Sequence, residues 1–328
     1  MLALLAALLI GEDSARTAGG PATLAILQGT IETSVGGTAT PPIKPGDSVD
    51  AGTLIKTNAG SRATFVMADG SELRINENTS VSIEGPRKFD LKFGRIFVKI
   101  VQTTPPFEIN TEHVPIFINQ ALADIEFSQR VPNGAPAATT IRVVEGSANT
   151  TSKKFKARIT AGFYNTAIGS QLNTPDPMGN SSLTTAWIHP LLVERGVADE
   201  ETQARAMELI EILGRESSND PAEAALRLLA DLATAELVRF LTKTANGPQP
   251  ARRTAAVRII AETGTMKSAA GMVSLLQNPE ASTRVVAAQG LARLAGKDLG
   301  FNEAYWKGET LEKGQKAWED WVRQNAAK

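Results

Sequence analysis

Apolar and polar side chains alternate with a period of two through the first half of the chain, and with a period near 3.6 through the second. The first period belongs to a strand with one buried face, the second to a helix with one apolar stripe. The clearest strand pair runs from Arg62 to Asn76. Ala63, Phe65 and Met67 fall on one face and Arg62, Thr64 and Val66 on the other; beyond Asp69-Gly70, Leu73 and Ile75 alternate with Glu72, Arg74 and Asn76. Asp-Gly tolerates the positive φ angles of a type I′ turn, so the pattern predicts a tight hairpin with one face in the core and one in water. Gly60-Ser61 and Gly46-Asp47 punctuate the preceding strand, as glycine enters turn conformations that other residues avoid.

A second hairpin is predicted where Phe89, Leu91 and Phe93 are followed by Gly94-Arg95 and then by Ile96, Val98 and Ile100. Ile125 with Phe127, Ile141 with Val143, and Phe155 with Ile159 add further half-buried strands, while Pro41-Pro42 and the segment Pro132 to Pro136 read as loops. Proline blocks ladder hydrogen bonds. Short strands separated by turn residues imply an antiparallel sandwich or rolled sheet, not a parallel βαβ sheet.

The periodicity breaks off between Leu172 and Ser182, a polar stretch rich in turn formers, so residues 171–183 read as a linker. Helical stripes follow. Ala206, Leu209, Ile210 and Leu213 lie at i, i+3, i+4 and i+7, and Leu226, Leu229, Ala230 and Ala233 repeat the pattern. Arg252 to Ala256 with Ile259, Ile260 and Gly264 aligns with Arg284 to Ala288 with Leu291, Ala292 and Gly296, and with Ala206, Leu209, Ile210 and Gly214. Each copy is expected to close on its glycine, and Asp220-Pro221 and Asn278-Pro279 are expected to start helices.

Two resemblances follow from these residues. Gly46-Asp47, Leu54, Thr57, Gly60-Ser61, Ala63, Asp69-Gly70-Ser71, Leu73 and Asn78-Thr79-Ser80, then Leu91, Gly94, Ile96 and Val98, resemble the FecR-type domain. The likeness continues through Phe107, Ile109 and Thr111, through Asp124 to Phe127 and Ile141 to Ser147, and closes at Thr160-Ala161-Gly162. It covers roughly residues 20–168 and implies an all-β extracytoplasmic module, within a β-domain at 20–170. One departure is Asn119-Gln120-Ala121-Leu122-Ala123, where the family has a Gly-Thr step; a turn is expected there, and with it a candidate partner-facing surface. The repeated stripes resemble HEAT-type or armadillo-like helical repeats over 184–328, with Trp318 and Trp321 on a helix that caps the array.

Composition narrows the function classes. The 328 residues suffice for two domains, and 34 basic against 35 acidic residues leave a net charge of −1, which excludes a field that steers nucleic acid. There is no cysteine, hence neither disulfide nor thiolate chemistry. MLALLAALLI opens the chain; ten apolar residues fall short of the about 20 a membrane helix needs. Residues 1–19 therefore read as a signal peptide or its remnant, with Ala15 or Ala18 available for cleavage. The missing basic flank fits a start codon placed slightly late, and the bland reading is a buried N-terminal helix.

Candidate chemistry is sparse. His113 and His189 lie in different domains with no nucleophile or zinc pattern beside them, and read as surface histidines. Asp124 and Glu126 would share a strand face about 7 Å apart, within the range of an inverting glycosidase pair, but with Ile125 and Phe127 buried both carboxylates are expected on the wet face. Ser61, Ser71 and Ser147 follow glycine without forming a nucleophile elbow, and Asn76-Glu77-Asn78 is too short for a calcium loop. Lys153, Lys154, Lys156 and Arg158 form a basic patch that guards an edge strand or meets an acidic polymer. Trp306, Trp318 and Trp321 could stack on sugars but fit an apolar cap better.

The expectation is a non-enzymatic periplasmic or secreted adaptor with no cofactor, no nucleic-acid partner and no stable transmembrane span. Its partner is an envelope protein, or in the alternative an envelope glycan such as peptidoglycan. FecR-type domains receive signals from outer-membrane partners and relay them through a membrane helix to a sigma-factor regulator. Neither a cytoplasmic region nor a later span is found in this sequence, so the expected role is that of the receiving module.

Overall fold

The computed structural model describes residues 20–102, 104–129, 134–152, 156–169, 171–195, 199–215, 250–263 and 266–325, together with Ala225, Leu228 and Thr244. It divides into two compact units, with the boundary along the chain between Pro177 and Met178. Residues 1–19, Pro132, Asn133, Lys153, Lys154, Phe155, Asp220-Pro221, Leu226, Leu229, Ala230, Ala233 and Gly264, named above, lie outside the described residues.

The first unit is all β. Its strands begin with β1 (Ala22–Gln28), β2 (Ile31–Val35), β3 (Thr38–Ala39), β4 (Ser48–Val49), β5 (Thr53–Thr57), β6 (Arg62–Met67), β7 (Glu72–Ile75) and β8 (Thr79–Gly85). They continue with β9 (Lys88–Ile100), β10 (Phe107–Asn110), β11 (Pro115–Ser128), β12 (Ala138–Thr151), β13 (Lys156–Thr160), β14 (Phe163–Ile168), β15 (Gln171–Leu172) and β16 (Asp176–Pro177). All belong to one hydrogen-bonded sheet with two limbs. One limb runs through β12, β11, β9, β7, β6, β1 and β4, the other through β9, β8, β5, β2 and β3. Pairing is antiparallel except where β10 lies parallel to β9. Both limbs feed one core, which holds Ile55, Val81 and Phe89 from one and Phe65, Ile96 and Ile125 from the other.

The hairpin of β6 and β7 forms in the expected register, Phe65 opposite Leu73, but its turn differs. The Met67 carbonyl accepts from Gly70 N at 3.0 Å and Met67 N donates to Ser71 O at 2.9 Å. Gly70 has φ +80° and Asp69 is absent from the positive-φ residues, which describes a three-residue loop built on a type I turn with a glycine bulge. Asp69 stabilises it through its side chain, since Oδ1 accepts from Ser71 N at 2.8 Å. Both central residues have positive φ instead at Gly36 and Gly37, +57° and +82°. That is the type I′ signature, and it joins β2 to β3.

No hairpin forms at Gly94. β9 runs unbroken through it, pairing with β8 up to Phe93 and with β7 and β11 beyond. Gly94 has φ +94°, and a Cβ there would stand 2.6 Å from Thr79 Cα and 2.8 Å from Asn78 O. The glycine bends the strand between limbs rather than reversing it. Gly94→Ala is expected to destabilise the unit by at least about 2 kcal/mol, read as a lowered thermal midpoint.

The turn expected at Asn119 to Ala123 is likewise absent. β11 continues across it with register shifts between Ile118 and Ala121 and between Leu122 and Ala123, so the departure from the family pattern is absorbed as bulges. Residues 171–177, expected to be linker, pair as β15 and β16 with β14. Two residues per strand are enough to fasten the segment to the sheet edge.

The second unit is helical. α1 (Ser181–Thr184) and a 3₁₀ turn (Ala186–Ile188) lead into α2 (His189–Arg195) and α3 (Glu200–Arg215). They are followed by α4 (Pro250–Thr263), α5 (Met266–Leu275), α6 (Ala281–Ala295), α7 (Glu303–Lys307) and α8 (Glu312–Asn325). α4 packs against both α3 and α6, while α5 and α7 lie against α6 and α8 against α5. The buried stripes are those expected: Ala206, Leu209 and Ile210 on α3, Ile259 and Ile260 on α4, and Ala287, Ala288 and Leu291 on α6.

Helix termini agree only in part. Gly296 closes α6 with φ +69° in the left-handed region, whereas Gly214 falls inside α3. Asn278 is not the cap of α6: that position is Glu280, and the Asn278 side chain instead accepts from Glu280 N at 3.0 Å in an Asx turn. Trp306 and Trp318 are buried. Trp318 meets Trp321 edge-on at 5.6 Å, and Trp306 meets Tyr305 edge-on at 5.0 Å.

Candidate functional site

The β pairing lines up five side chains on neighbouring strands. Arg74 of β7 stands opposite Phe97 of β9, Phe97 opposite Asp124 of β11, Asp124 opposite Arg142 of β12, and Arg142 opposite Tyr164 of β14. The row lies on the sheet face away from the core, because its neighbours Ile96, Val98, Ile125, Ile141 and Val143 belong to the core cluster. Period-two alternation then turns the row the other way.

Asp124 is the centre of the row and is completely buried, against the expectation of a solvated carboxylate. Its Oδ1 accepts from Arg95 Nε at 2.8 Å, and its Oδ2 accepts from Arg95 Nη2 at 2.9 Å and from Arg142 Nη1 at 2.8 Å. Two planar guanidinium groups thus cover one carboxylate, Arg95 doing so as a fork. Glu126 keeps 38% of its side-chain surface and binds Arg142 Nη2 at 2.9 Å. Burial alone would lower the Arg95 guanidinium, but the hydrogen bond and charge of Asp124, with the charge of Glu126, raise it above its ordinary value. At the other end of the row Arg74 is buried, forked onto Glu72 Oε2 at 3.0 and 2.7 Å, and lies 5.2 Å from the Phe97 ring centre.

This arrangement does not resemble an acid pair. Both Asp124 oxygens accept from guanidinium groups, and Glu126 shares one of those groups. A general acid needs a carboxyl aimed at a substrate atom, and an inverting pair needs room for a water between them.

The other sequence candidates fall elsewhere. His113 sits in the loop between β10 and β11 with its ring edge-on to Phe127 at 5.4 Å. Ser61 Oγ accepts from Thr30 N at 3.1 Å and Ser71 Oγ from Val101 N at 3.2 Å, so both hydroxyls tie loops to the sheet. Ser147 lies in β12 opposite Thr160. Glu77 reaches back to Gly60 N at 2.7 Å, which makes the Asn76-Glu77-Asn78 stretch a turn brace. Lys156 and Arg158 are exposed on β13, which pairs with β12 alone, as a charged edge strand requires. His189 is not on the surface: it is 1% exposed inside the helical unit. With Trp306 and Trp318 buried, the tryptophans supply packing and not a platform for sugars.

Two hollows lie at the end of the β unit, of about 610 and 380 Å³, sharing Thr33, Thr40 and Pro42. The shared Thr33 and Thr40 are hydrogen-bonded hydroxyl to hydroxyl at 2.5 Å. Asp47, which lines the larger hollow, uses Oδ2 to accept from Lys44 N at 2.9 Å. Among the described residues there is no group of three or more His, Asp or Glu side chains able to hold a metal, and no helix long and apolar enough to cross a membrane.

The row could have been found from the sequence only in part. Arg95, Asp124 and Arg142 each sit at a polar position between apolar neighbours, but nothing in the alternation says which strands are adjacent. That information resides in the pairing.

Comparison with known proteins attaches a family to this part of the chain. The family model described as FecR protein matches residues 53–149, which run from the start of β5 to near the end of β12 and include Arg74, Phe97, Asp124 and Arg142. That stretch is a FecR domain. No curated protein matches the chain. Two crystal structures of a candidate anti-sigma factor from Parabacteroides distasonis are similar at 15% and 14% identity, each with a TM-score of 0.36 and covering 42% of this chain. The chain spans 64% of the length of those structures, and a TM-score of 0.36 is too low to carry their fold across.

Proposed function

We propose that the chain is a non-enzymatic extracytoplasmic adaptor, periplasmic or secreted, that takes part in envelope signalling. Its β unit is the receiving module for a protein partner, and its helical unit is a HEAT- or armadillo-like scaffold. The observation that carries this reading is the FecR match at residues 53–149. It falls on the strands that carry the row, in which Arg74, Phe97 and Asp124 are fully buried while Arg142, Tyr164 and the neighbouring Glu126 stay partly exposed and are left to meet a partner. Arginine and aromatic side chains dominate protein interfaces because each combines apolar area with directed hydrogen bonds. The scaffold reading is supported by α3, α4 and α6 packing side by side with α5 against α6, and by the closing α8.

The test is site-specific photo-crosslinking in envelope fractions, with the reactive group at Leu122 or Lys99. One dominant protein adduct is expected, lost with Glu126→Lys, alongside no sedimentation with purified cell wall. Sedimentation that survives high salt, without an adduct, would overturn the protein-partner reading in favour of glycan.

A further inference from the structure

The first corner of the helical unit is held together by polar side chains, several of them buried. Glu208 of α3 accepts four hydrogen bonds at the start of α1: from Ser181 N at 2.8 Å, Ser181 Oγ at 2.6 Å, Ser182 N at 3.1 Å and Ser182 Oγ at 2.6 Å. One turn earlier on α3, Arg205 Nη1 donates to Thr185 Oγ1 at 2.7 Å, at the C-terminus of α1. Acid at a helix start and base at its end match the helix dipole. Ser182, Thr185, His189, Glu201 and Arg205 are each under 7% exposed.

His189 opens α2 in the middle of this corner. It is 1% exposed, its chain neighbours Ile188, Leu191 and Leu192 are buried with it, and neither ring nitrogen has a hydrogen-bond partner among the described residues. Among the described residues the charges facing it come from α3, the Arg205 guanidinium and the Glu201 carboxylate, and these two already lie 3.5 Å apart. α1 presents only serine, leucine and threonine. On α2 itself, Arg195 is turned to Asp199, and Glu194 stands five residues along the helix.

We propose that His189 makes this corner an acid-opened latch, in which proton uptake by the buried imidazole releases α1 and α2 from α3. An imidazolium here would be a second cation beside Arg205, with no acceptor at either N–H among the described residues. Opening gives it water. Burial first, and then the charge of Arg205, pull the imidazole down to about 3 from its ordinary 6.5, with Glu201 opposing. The closed corner therefore refuses a proton that the open corner accepts. Stability from this group is complete above about pH 6.5 and falls steadily as the pH drops toward about 3.

Hydrogen exchange read by mass spectrometry over α1, α2 and α3, corrected for the intrinsic pH dependence of exchange, tests the latch in the full chain. Between pH 7 and pH 5, before most carboxylates titrate, the opening constant is expected to rise about 25-fold. His189→Gln and His189→Leu are expected to remove that rise. A wild-type rise below about threefold, or an equal rise in a folded variant, would overturn the latch. A second readout needs no variant at His189: the imidazole resonance of His189, assigned with His113→Gln, should remain that of a neutral ring at pH 5, and titration above pH 5 in the folded protein would equally sink it.

Discussion

Replacing Asp124 by alanine is expected to destabilise the β unit by about 3–5 kcal/mol, the cost of removing one partner from a buried ion pair. Arg95 and Arg142 would keep their charges on a face where Asp124 is fully buried and their own side chains retain only 22% and 18% of their surface. Glu126 can hold Arg142 and stands opposite Arg95, but one half-exposed carboxylate does not reproduce the fork and the bridge that Asp124 gives the two guanidinium groups. Asp124→Asn should recover only part of the loss, since an amide offers one acceptor oxygen where the carboxylate offers two. Urea unfolding of the two variants and wild type provides the measurement. A loss under about 1 kcal/mol for the alanine variant would mean that water reaches both guanidinium groups and that the row is not the sealed network described.

Arg284 is the counterpart in the helical unit. It is 7% exposed on α6, and its guanidinium donates to four backbone carbonyls: Nε to Trp306 at 2.9 Å, Nη1 to Asn278 at 2.8 Å and Pro279 at 2.9 Å, and Nη2 to Gly308 at 3.2 Å. One side chain thereby joins the loop before α6 to the end of α7. Arg284→Met, close in length and without donors, is expected to cost about 3 kcal/mol, because the carbonyls lose charged partners they cannot replace inside the unit. Arg284→Lys should restore little, as a single ammonium cannot span the directions a planar fork reaches. Thermal unfolding followed by tryptophan fluorescence reports on it directly, through Trp306 and Trp318. A midpoint unchanged by Arg284→Met would show that the carbonyls are served by water.

How far the sequence foretold this structure depends on what alternation encodes. It names the core face of a strand, and there it succeeded: Ala63, Phe65, Met67, Leu73 and Ile75 are all buried; the opposite face, expected in water, is not, since Thr64 and Arg74 are buried as well. It does not name the neighbouring strand. At Gly94 the apolar phase shifts from odd positions, Phe89 and Leu91, to even ones, Ile96, Val98 and Ile100. A hairpin and a bent strand passing between two limbs both produce that shift, and only the pairing of β9 with β8, β7 and β11 separates them. The same gap explains Asp124, whose polar position was read as wet because the arginines that bury it come from β9 and β12. For Asp69-Gly70, the dipeptide named a turn correctly and its type wrongly, since one residue more in the loop moves the need for positive φ onto glycine alone. His189 had no legible signal, because a lone histidine at the start of a short helix carries no pattern that separates a buried ring from an exposed one.

The bent β9 also bears on how the β unit can come apart. A strand shared by both limbs lets neither peel away as an autonomous piece: releasing the β8, β5, β2 limb strips one half of β9, and releasing the β7, β6 limb strips the other. Cooperativity across the whole unit is the consequence, with one melting transition where a pair of loosely joined sheets would give two. Strain at either limb is thus felt at the polar row, which takes Phe97 from the same strand three residues beyond the bend.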